Sequence, residues 1–164
     1  MFKIAFSGAQ NCGKTTKSRF FYFSCLQMGL KTELVEETAR MCPFPLDDKA
    51  DFKTQDWITR KQMALEFEIK SKKPDVIVCD RSILDPLIYS KFLFELGKMT
   101  DGDLDIIRNR VLEWVHTYDA IVLCREYPMV NDGVRSIDEK AQIHINDLFD
   151  ETVVELGLKN IRRT

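Results

Sequence analysis

Apolar and polar positions along the chain sort into two recurring patterns, short unbroken apolar runs and longer stretches with a period near 3.6. Phe2 to Phe6 is apolar apart from Lys3, the signature of a strand buried on both faces. Asp75 to Asp80 (D-V-I-V-C-D) and Ala120 to Cys124 (A-I-V-L-C) repeat it, Thr32 to Val35 gives a shorter strand, and Asn160 to Arg162 reads as a closing one. The helical stretches fall between them. Lys14 to Met28 carries Phe20, Phe21, Phe23, Cys25 and Leu26 as a surface expected to pack on the sheet, with Gly29 as its stop. Thr54 to Lys72, Leu84 to Leu96 and Asp103 to Tyr118 come next, and Ser136-Ile-Asp-Glu139 makes a capping box for a last helix to about Leu156. Such alternation predicts one α/β domain over residues 1–164, a three-layer αβα sandwich whose parallel sheet has about five strands.

The loop after the first strand fixes the chemistry. Gly8-Ala9-Gln10-Asn11-Cys12-Gly13-Lys14-Thr15 is G-x-x-x-x-G-K-T, with Thr16 next to it, and it sits between a predicted strand and a predicted helix. Glycines at both ends let successive N–H groups turn inward on a phosphate, and the helix opening at Lys14 adds its positive dipole end. Lys14 is expected at the β- and γ-phosphates and the Thr15 hydroxyl on Mg²⁺. The sandwich is therefore expected to be a P-loop NTPase fold that binds ATP and Mg²⁺. Asp80, at the end of the third apolar run, is the second expected metal-facing group.

The identity of residue 81 separates hydrolysis from transfer. A Glu directly after Asp80 would polarise an attacking water; this chain has Arg81-Ser82 instead. Arg81 is either a fixed cation beside the reacting phosphates or a salt bridge at the strand end. Glu36 and Glu37 end the second strand, where ligands bind in open parallel sheets, although a solvated helix start with acids favouring its dipole reads equally well. Glu37 is the candidate general base if the acceptor is a hydroxyl. Arg125 and Arg135 flank a loop after the fourth strand that can close over a nucleotide, and each taken singly also suits a solvated surface. Pro43 to Gln62 and the helix after Ile83 are the stretches expected to line an acceptor pocket, with Arg60 and Gln62 candidate contacts. His116 and His144 form no metal cluster.

Composition narrows the setting. With 164 residues, 45% hydrophobic and 30% charged, the chain resembles an ordinary globular protein, and no apolar run has the length of a membrane span. A net charge of −2 argues against general nucleic-acid binding by counterion release. Five widely spaced cysteines (Cys12, Cys25, Cys42, Cys79, Cys124) suggest neither a disulfide framework nor a zinc site, and with no signal-peptide pattern a reducing cytoplasm is the expected location. Cys12, inside the loop, lies where N–H groups and a helix start lower a thiol pKa. Oligomeric state is not fixed by any of this, and a homodimer is allowed.

Four segments together, G-A-Q-N-C-G-K-T, Glu37-x-Ala39-Arg40, V-I-V-C-D-R-S and Asp132-Gly133-Val134-Arg135 before an Ile143-His144 helix, resemble the AAA-type nucleoside-kinase-like domains. That family includes the ribosylnicotinamide kinase domain of bacterial NAD-biosynthesis proteins, and it is similar more broadly to thymidylate and deoxynucleoside kinases. The resemblance implies ATP-Mg²⁺ at Gly8 to Thr15 with help from Asp80, a substrate-facing Glu37, substrate or phosphate contact by Arg81, and closure by the arginines of the 125–135 loop. That loop is short, and no adenylyltransferase domain accompanies it. The expected function is transfer of the ATP γ-phosphoryl to a small-molecule acceptor, namely a nucleoside, a nucleotide or ribosylnicotinamide. The alternative is an ATP-binding or ATPase switch working through a partner protein. No N-K-x-D segment exists to read guanine, which disfavours a GTPase.

Overall fold

The computed structural model describes residues 1–46, 49–125 and 139–164. Its order is β1 (Phe2–Ser7), α1 (Lys14–Gln27), β2 (Thr32–Val35), α2 (Phe52–Ser71), β3 (Val76–Asp80), α3 (Leu84–Glu95), α4 (Asp101–Trp114), β4 (Ala120–Leu123), α5 (Glu139–Glu155) and β5 (Ile161–Arg163). Single 3-10 turns cover Thr38–Met41 and Val115–Thr117. All described strands pair in parallel in the order β2-β3-β1-β4-β5. The expected five-stranded α/β sandwich is therefore the fold.

Crossover handedness distributes the helices. The chain travels from β1 towards one edge to reach β2, then reverses and adds β3, β4 and β5 towards the other edge. Right-handed crossovers of opposite travel place their helices on opposite faces. Side-chain alternation agrees. Ile4, Phe6, Val76, Val78 and Val122 face α1, packing with Cys25, Phe21 and Tyr22. Ala5, Ile77, Cys79, Ile121 and Leu123 face the other way into a larger core completed by residues such as Leu87, Ile107, Val111, Leu148 and Phe149 from α3, α4 and α5. The reversal leaves a crevice at the carboxyl ends of β1 and β3, the place where open parallel sheets bind ligands.

Two helices depart from expectation. On α1, Phe20 (75% exposed), Phe23 (59%) and Leu26 point to solvent, and Cys25 with half-buried Phe21 and Tyr22 makes the contact with the sheet instead. Four consecutive aromatics, Phe20 to Phe23, span the circumference of α1, so they do not reveal which face is the inner one. The predicted helix from Asp103 to Tyr118 begins earlier, at Asp101 behind a Thr100–Asp103 capping box, and tightens into a 3-10 turn after Trp114. The Ser136 end of the predicted last capping box lies outside the described residues, as do Asp47 and Asp48.

Ile77→Ala is expected to lower the unfolding free energy by about 2–5 kcal/mol in urea denaturation, since Ile77 is fully buried in β3. Phe20→Ala, on the solvent side of α1, should change it by less than about 0.5 kcal/mol.

Candidate active site

The phosphate loop leaves β1 with its backbone in conformations that ordinary residues avoid. Gly8 has φ 142°, Asn11 60° and Gly13 78°. At Gly8 the demand is for space as well as conformation. A Cβ built there would lie 2.4 Å from the Cys124 carbonyl oxygen and 2.9 Å from Cys12 Sγ, so the loop lies directly on the end of β4. Gly13 is the N-cap of α1, whose first-turn N–H groups have no intrahelical partner and receive no side-chain cap from it. Lys14 is buried, and its ammonium donates to the Ala9 carbonyl at 2.5 Å and lies 3.5 Å from Cys12 Sγ. Burial, reinforced by the charge of Arg81, lowers its pKa. The Cys12 thiol falls to about 6, chiefly through a hydrogen bond from Cys124, with the Lys14 charge assisting against burial.

Asp80 ends β3 beside this loop because Phe6 and Asp80 are paired across the sheet. Burial raises its pKa, while a hydrogen bond with the Thr15 hydroxyl lowers it. Its Oδ1 is buried with no hydrogen-bond partner among the described residues. An orphaned carboxylate oxygen beside a Thr hydroxyl suits Mg²⁺, which takes one or two protein ligands and fills the rest with phosphate oxygens and water. No cluster of three or more His, Cys, Asp or Glu stands together as a separate metal site among the described residues.

Arg81 is the most constrained residue in the site. It has φ 86°, a strained conformation for a non-glycine residue and one that costs on the order of 1–3 kcal/mol. Its N–H donates to the Phe6 carbonyl at 3.0 Å, and the next residue, Ser82, bonds Ser7 Oγ and Asp85. The strained turn aims the guanidinium into a cluster of acids. Arg81 Nε meets Glu37 Oε1 at 2.7 Å, Arg81 Nη1 meets Asp85 Oδ1 at 3.1 Å, and the group lies over the Tyr89 ring at 5.7 Å. Burial opposes its charge, but Tyr89, Asp85 and Glu37 outweigh that and hold it protonated. Arg40 Nε adds a 2.7 Å contact to the other oxygen of Glu37. Burial raises the Glu37 pKa, yet the two arginines more than reverse this and set it at about 2.

Of the residues singled out in the sequence, the structure brings together Gly8 to Thr16, Asp80, Arg81 and Glu37. Arg81 makes the salt bridges of the second reading, at the carboxyl end of β3. Arg125 stands apart, ion-paired with Asp150, a carboxylate that also receives Arg163 at 3.0 Å. Arg135 lies outside the described residues. Arg60 is on the surface, bound to Asp56 at 2.6 Å. Gln62 is buried and donates to Glu66 and to the Arg81 carbonyl, so its amide protons are committed internally. His144 is exposed on α5, where a hydrogen bond to Glu95 raises its pKa. Asp85 and Tyr89 were missed. The Arg81-to-Asp85 spacing of four at a helix start was the available signal for the first.

Residues 3–163 match the family described as AAA domain. The chain belongs to that family. None of the curated proteins matches it in sequence. Among solved structures, deoxyadenosine kinase from M. mycoides, with the products dCMP and dCDP bound, superposes with a TM-score of 0.70 at 17% identity, covering 99% of this chain and 90% of that one. NadR protein in complex with NR gives 0.71, and in complex with NAD and AMP-PNP 0.75, each at 17% identity and covering 99% of this chain. This chain spans 43–44% of those NadR chains. What is shared at this identity is the fold, a P-loop α/β sandwich matching that of deoxyadenosine kinase.

The depressed pKa of Glu37 makes a pH prediction. Its folded value of about 2 lies below the ordinary 4.5, so the ionised group stabilises the fold above about pH 4.5, and that contribution is lost as pH falls towards 2. The stability difference between wild type and Glu37→Gln is expected to be level above pH 5 and to shrink below about 4.5, read from denaturant midpoints across pH.

Proposed function

We propose that this chain is an ATP-dependent kinase that transfers the γ-phosphoryl group to a nucleoside, a nucleotide or a ribosylnicotinamide-like acceptor. The observation that carries this reading is the Glu37–Arg81–Asp85 cluster at the carboxyl ends of β2 and β3, adjoining the phosphate loop, with Arg81 where a hydrolase would place a water-polarising acid. Gly8 to Thr16 would cradle the ATP phosphates with backbone N–H groups, and Lys14 would neutralise charge on the transferring end. Thr15 and Asp80 would hold Mg²⁺, which would supply screening of the phosphate charge. Arg81 would face the acceptor side and stabilise charge spreading over the γ-phosphoryl oxygens.

Glu37 has a defined part in this scheme. At a pKa of about 2 it is ionised at neutral pH and only weakly basic. Phosphoryl transfer passes through a loose transition state in which the acceptor hydroxyl needs orientation more than early deprotonation. Glu37 would accept a hydrogen bond from that hydroxyl and aim its lone pair in line with the leaving oxygen. Arg125 would join the phosphates only by exchanging Asp150 for them, and Arg135 would do so from the same loop.

One observation favours a second reading, an ATP-binding or ATPase switch acting through a protein partner. Phe20 and Phe23 stand exposed on α1, the helix that starts at the phosphate loop, and would give a partner a handle close to the nucleotide.

The two readings part on an acceptor panel. Labelled phosphoryl from γ-labelled ATP-Mg²⁺ is expected to appear on one member of a set of nucleosides, nucleoside monophosphates and ribosylnicotinamide, above a control lacking acceptor. Lys14→Ala should reduce transfer by about a hundredfold or more, and Glu37→Gln should lower kcat about tenfold to a hundredfold with little change in KM for ATP. Free phosphate released at a rate that no acceptor alters would instead support the switch.

A further inference from the structure

The turn that carries Arg81 is gripped from behind by a buried polar cluster between β1, α2 and the end of α4. At its centre Glu66 of α2 is 2% exposed and accepts four hydrogen bonds, two on each carboxylate oxygen. Oε2 takes Lys3 Nζ at 2.6 Å and Trp114 Nε1 at 2.7 Å. Oε1 takes Gln62 Nε2 at 2.7 Å and the Tyr118 hydroxyl at 2.5 Å. The two donors on Oε1 both reach onward to the active-site turn. Gln62 gives its amide to the Arg81 carbonyl at 3.3 Å and accepts from Thr38, the neighbour of Glu37, at 3.1 Å. The Tyr118 hydroxyl accepts the Ile83 N–H at 3.0 Å.

We propose that Glu66, through Gln62 and Tyr118, is a positioning residue for the transfer reaction, holding the Arg81–Ser82–Ile83 turn in its strained conformation so that the guanidinium faces Glu37 and the acceptor. This rests on the kinase reading above. The logic is electrostatic and geometric. A carboxylate taken out of water must have its lone pairs satisfied, and here each is met by a donor with little freedom to move. Because Gln62 uses both amide protons and Tyr118 uses its one proton on Glu66, neither can rotate away without leaving a buried group unpaired. The Arg81 N–H held on the Phe6 carbonyl and the Arg81 carbonyl held by Gln62 bracket Cα81 and so set the aim of its side chain, and the Ile83 N–H held on Tyr118 fixes the exit of the turn. The Oε2 side has a different task. Lys3 neutralises the buried charge and lies against the Trp114 and Tyr118 rings, and the hydrogen bonds of the Lys3 and Trp114 side chains go to Glu66 and Thr117, not to the turn.

The two sides of one carboxylate supply the test and its control. Tyr118→Phe removes a single hydroxyl from the relay, and Trp114→Phe removes one donor from Oε2. Tyr118→Phe is expected to lower kcat by about tenfold to a hundredfold while KM for ATP stays within about twofold, because the phosphate loop is untouched. Amide hydrogen exchange at Ile83 should speed up by about tenfold in the same variant. Trp114→Phe should reduce the denaturation midpoint yet leave kcat and Ile83 exchange within about twofold of wild type. Wild-type kcat and Ile83 exchange in Tyr118→Phe would overturn the proposal, and so would an equal kcat loss in Trp114→Phe, which would reduce the cluster to general stability. Absence of transfer by wild type to every acceptor would overturn the kinase reading instead, while the exchange comparison would still decide whether the relay holds the turn.

Discussion

Parallel pairing of β1 with β3 is the constraint on which the rest depends. The register sets Phe6 against Asp80, and the chain beyond each strand then leaves the sheet at the same level. One exit becomes the phosphate loop and the other the Asp80–Arg81 turn, tied back to β1 by the Arg81 N–H on the Phe6 carbonyl. A shift of one residue would turn Asp80 to the other face of the sheet and break the contact between Ser7 and Ser82. The crossover reversal that, among the described helices, puts α1 alone on one face also places both exits at the topological switch point. Topology and chemistry are thus set by one strand pair.

Charge is managed differently in the two halves of the crevice. At the phosphate loop, Lys14 is buried with its ammonium on the Ala9 carbonyl and no carboxylate among its hydrogen-bond partners in the described residues, and desolvation lowers its pKa. A partly desolvated cation of this kind suits an arriving phosphate, because much of the cost of removing water has already been met in the folded protein. At the ends of β2 and β3, Arg81, Arg40, Glu37 and Asp85 neutralise one another closely. That balance keeps Glu37 ionised and Arg81 fixed. The strained φ of Arg81 is the local cost of the aim, offset by hydrogen bonds on both flanks.

The fold and the phosphate side were legible because their signals are local. G-x-x-x-x-G-K-T carries its glycines, lysine and threonine within eight residues, and the apolar runs of β1, β3 and β4 are continuous. The Glu37–Arg81 cluster was only half legible. Arg81 announced itself by its place next to Asp80, but its partner Glu37 is 44 positions away and had a solvated alternative that only packing could dismiss. The Glu66 cluster was invisible, since Lys3 and Glu66 lie 63 positions apart and each looks like an ordinary surface charge in sequence. The inner face of α1 was misread because its aromatics surround the helix. Arg125 read as a cation of a closing loop or a solvated surface charge, and the structure pairs it with Asp150 from α5, 25 positions on, which no local pattern encodes.

That nucleotide phosphates and acceptor meet between the loop and the Arg81 turn is tested most directly by a crystal structure with a non-hydrolysable ATP analogue and Mg²⁺. The terminal phosphates are expected within Gly8 to Thr16, the metal on Thr15 Oγ1 with Asp80 in direct or water-mediated contact, and Arg81 with Glu37 lining the open side of the γ-phosphate. Phosphates bound away from the loop, or a γ-phosphate whose open side faces groups other than Arg81 and Glu37, would contradict it.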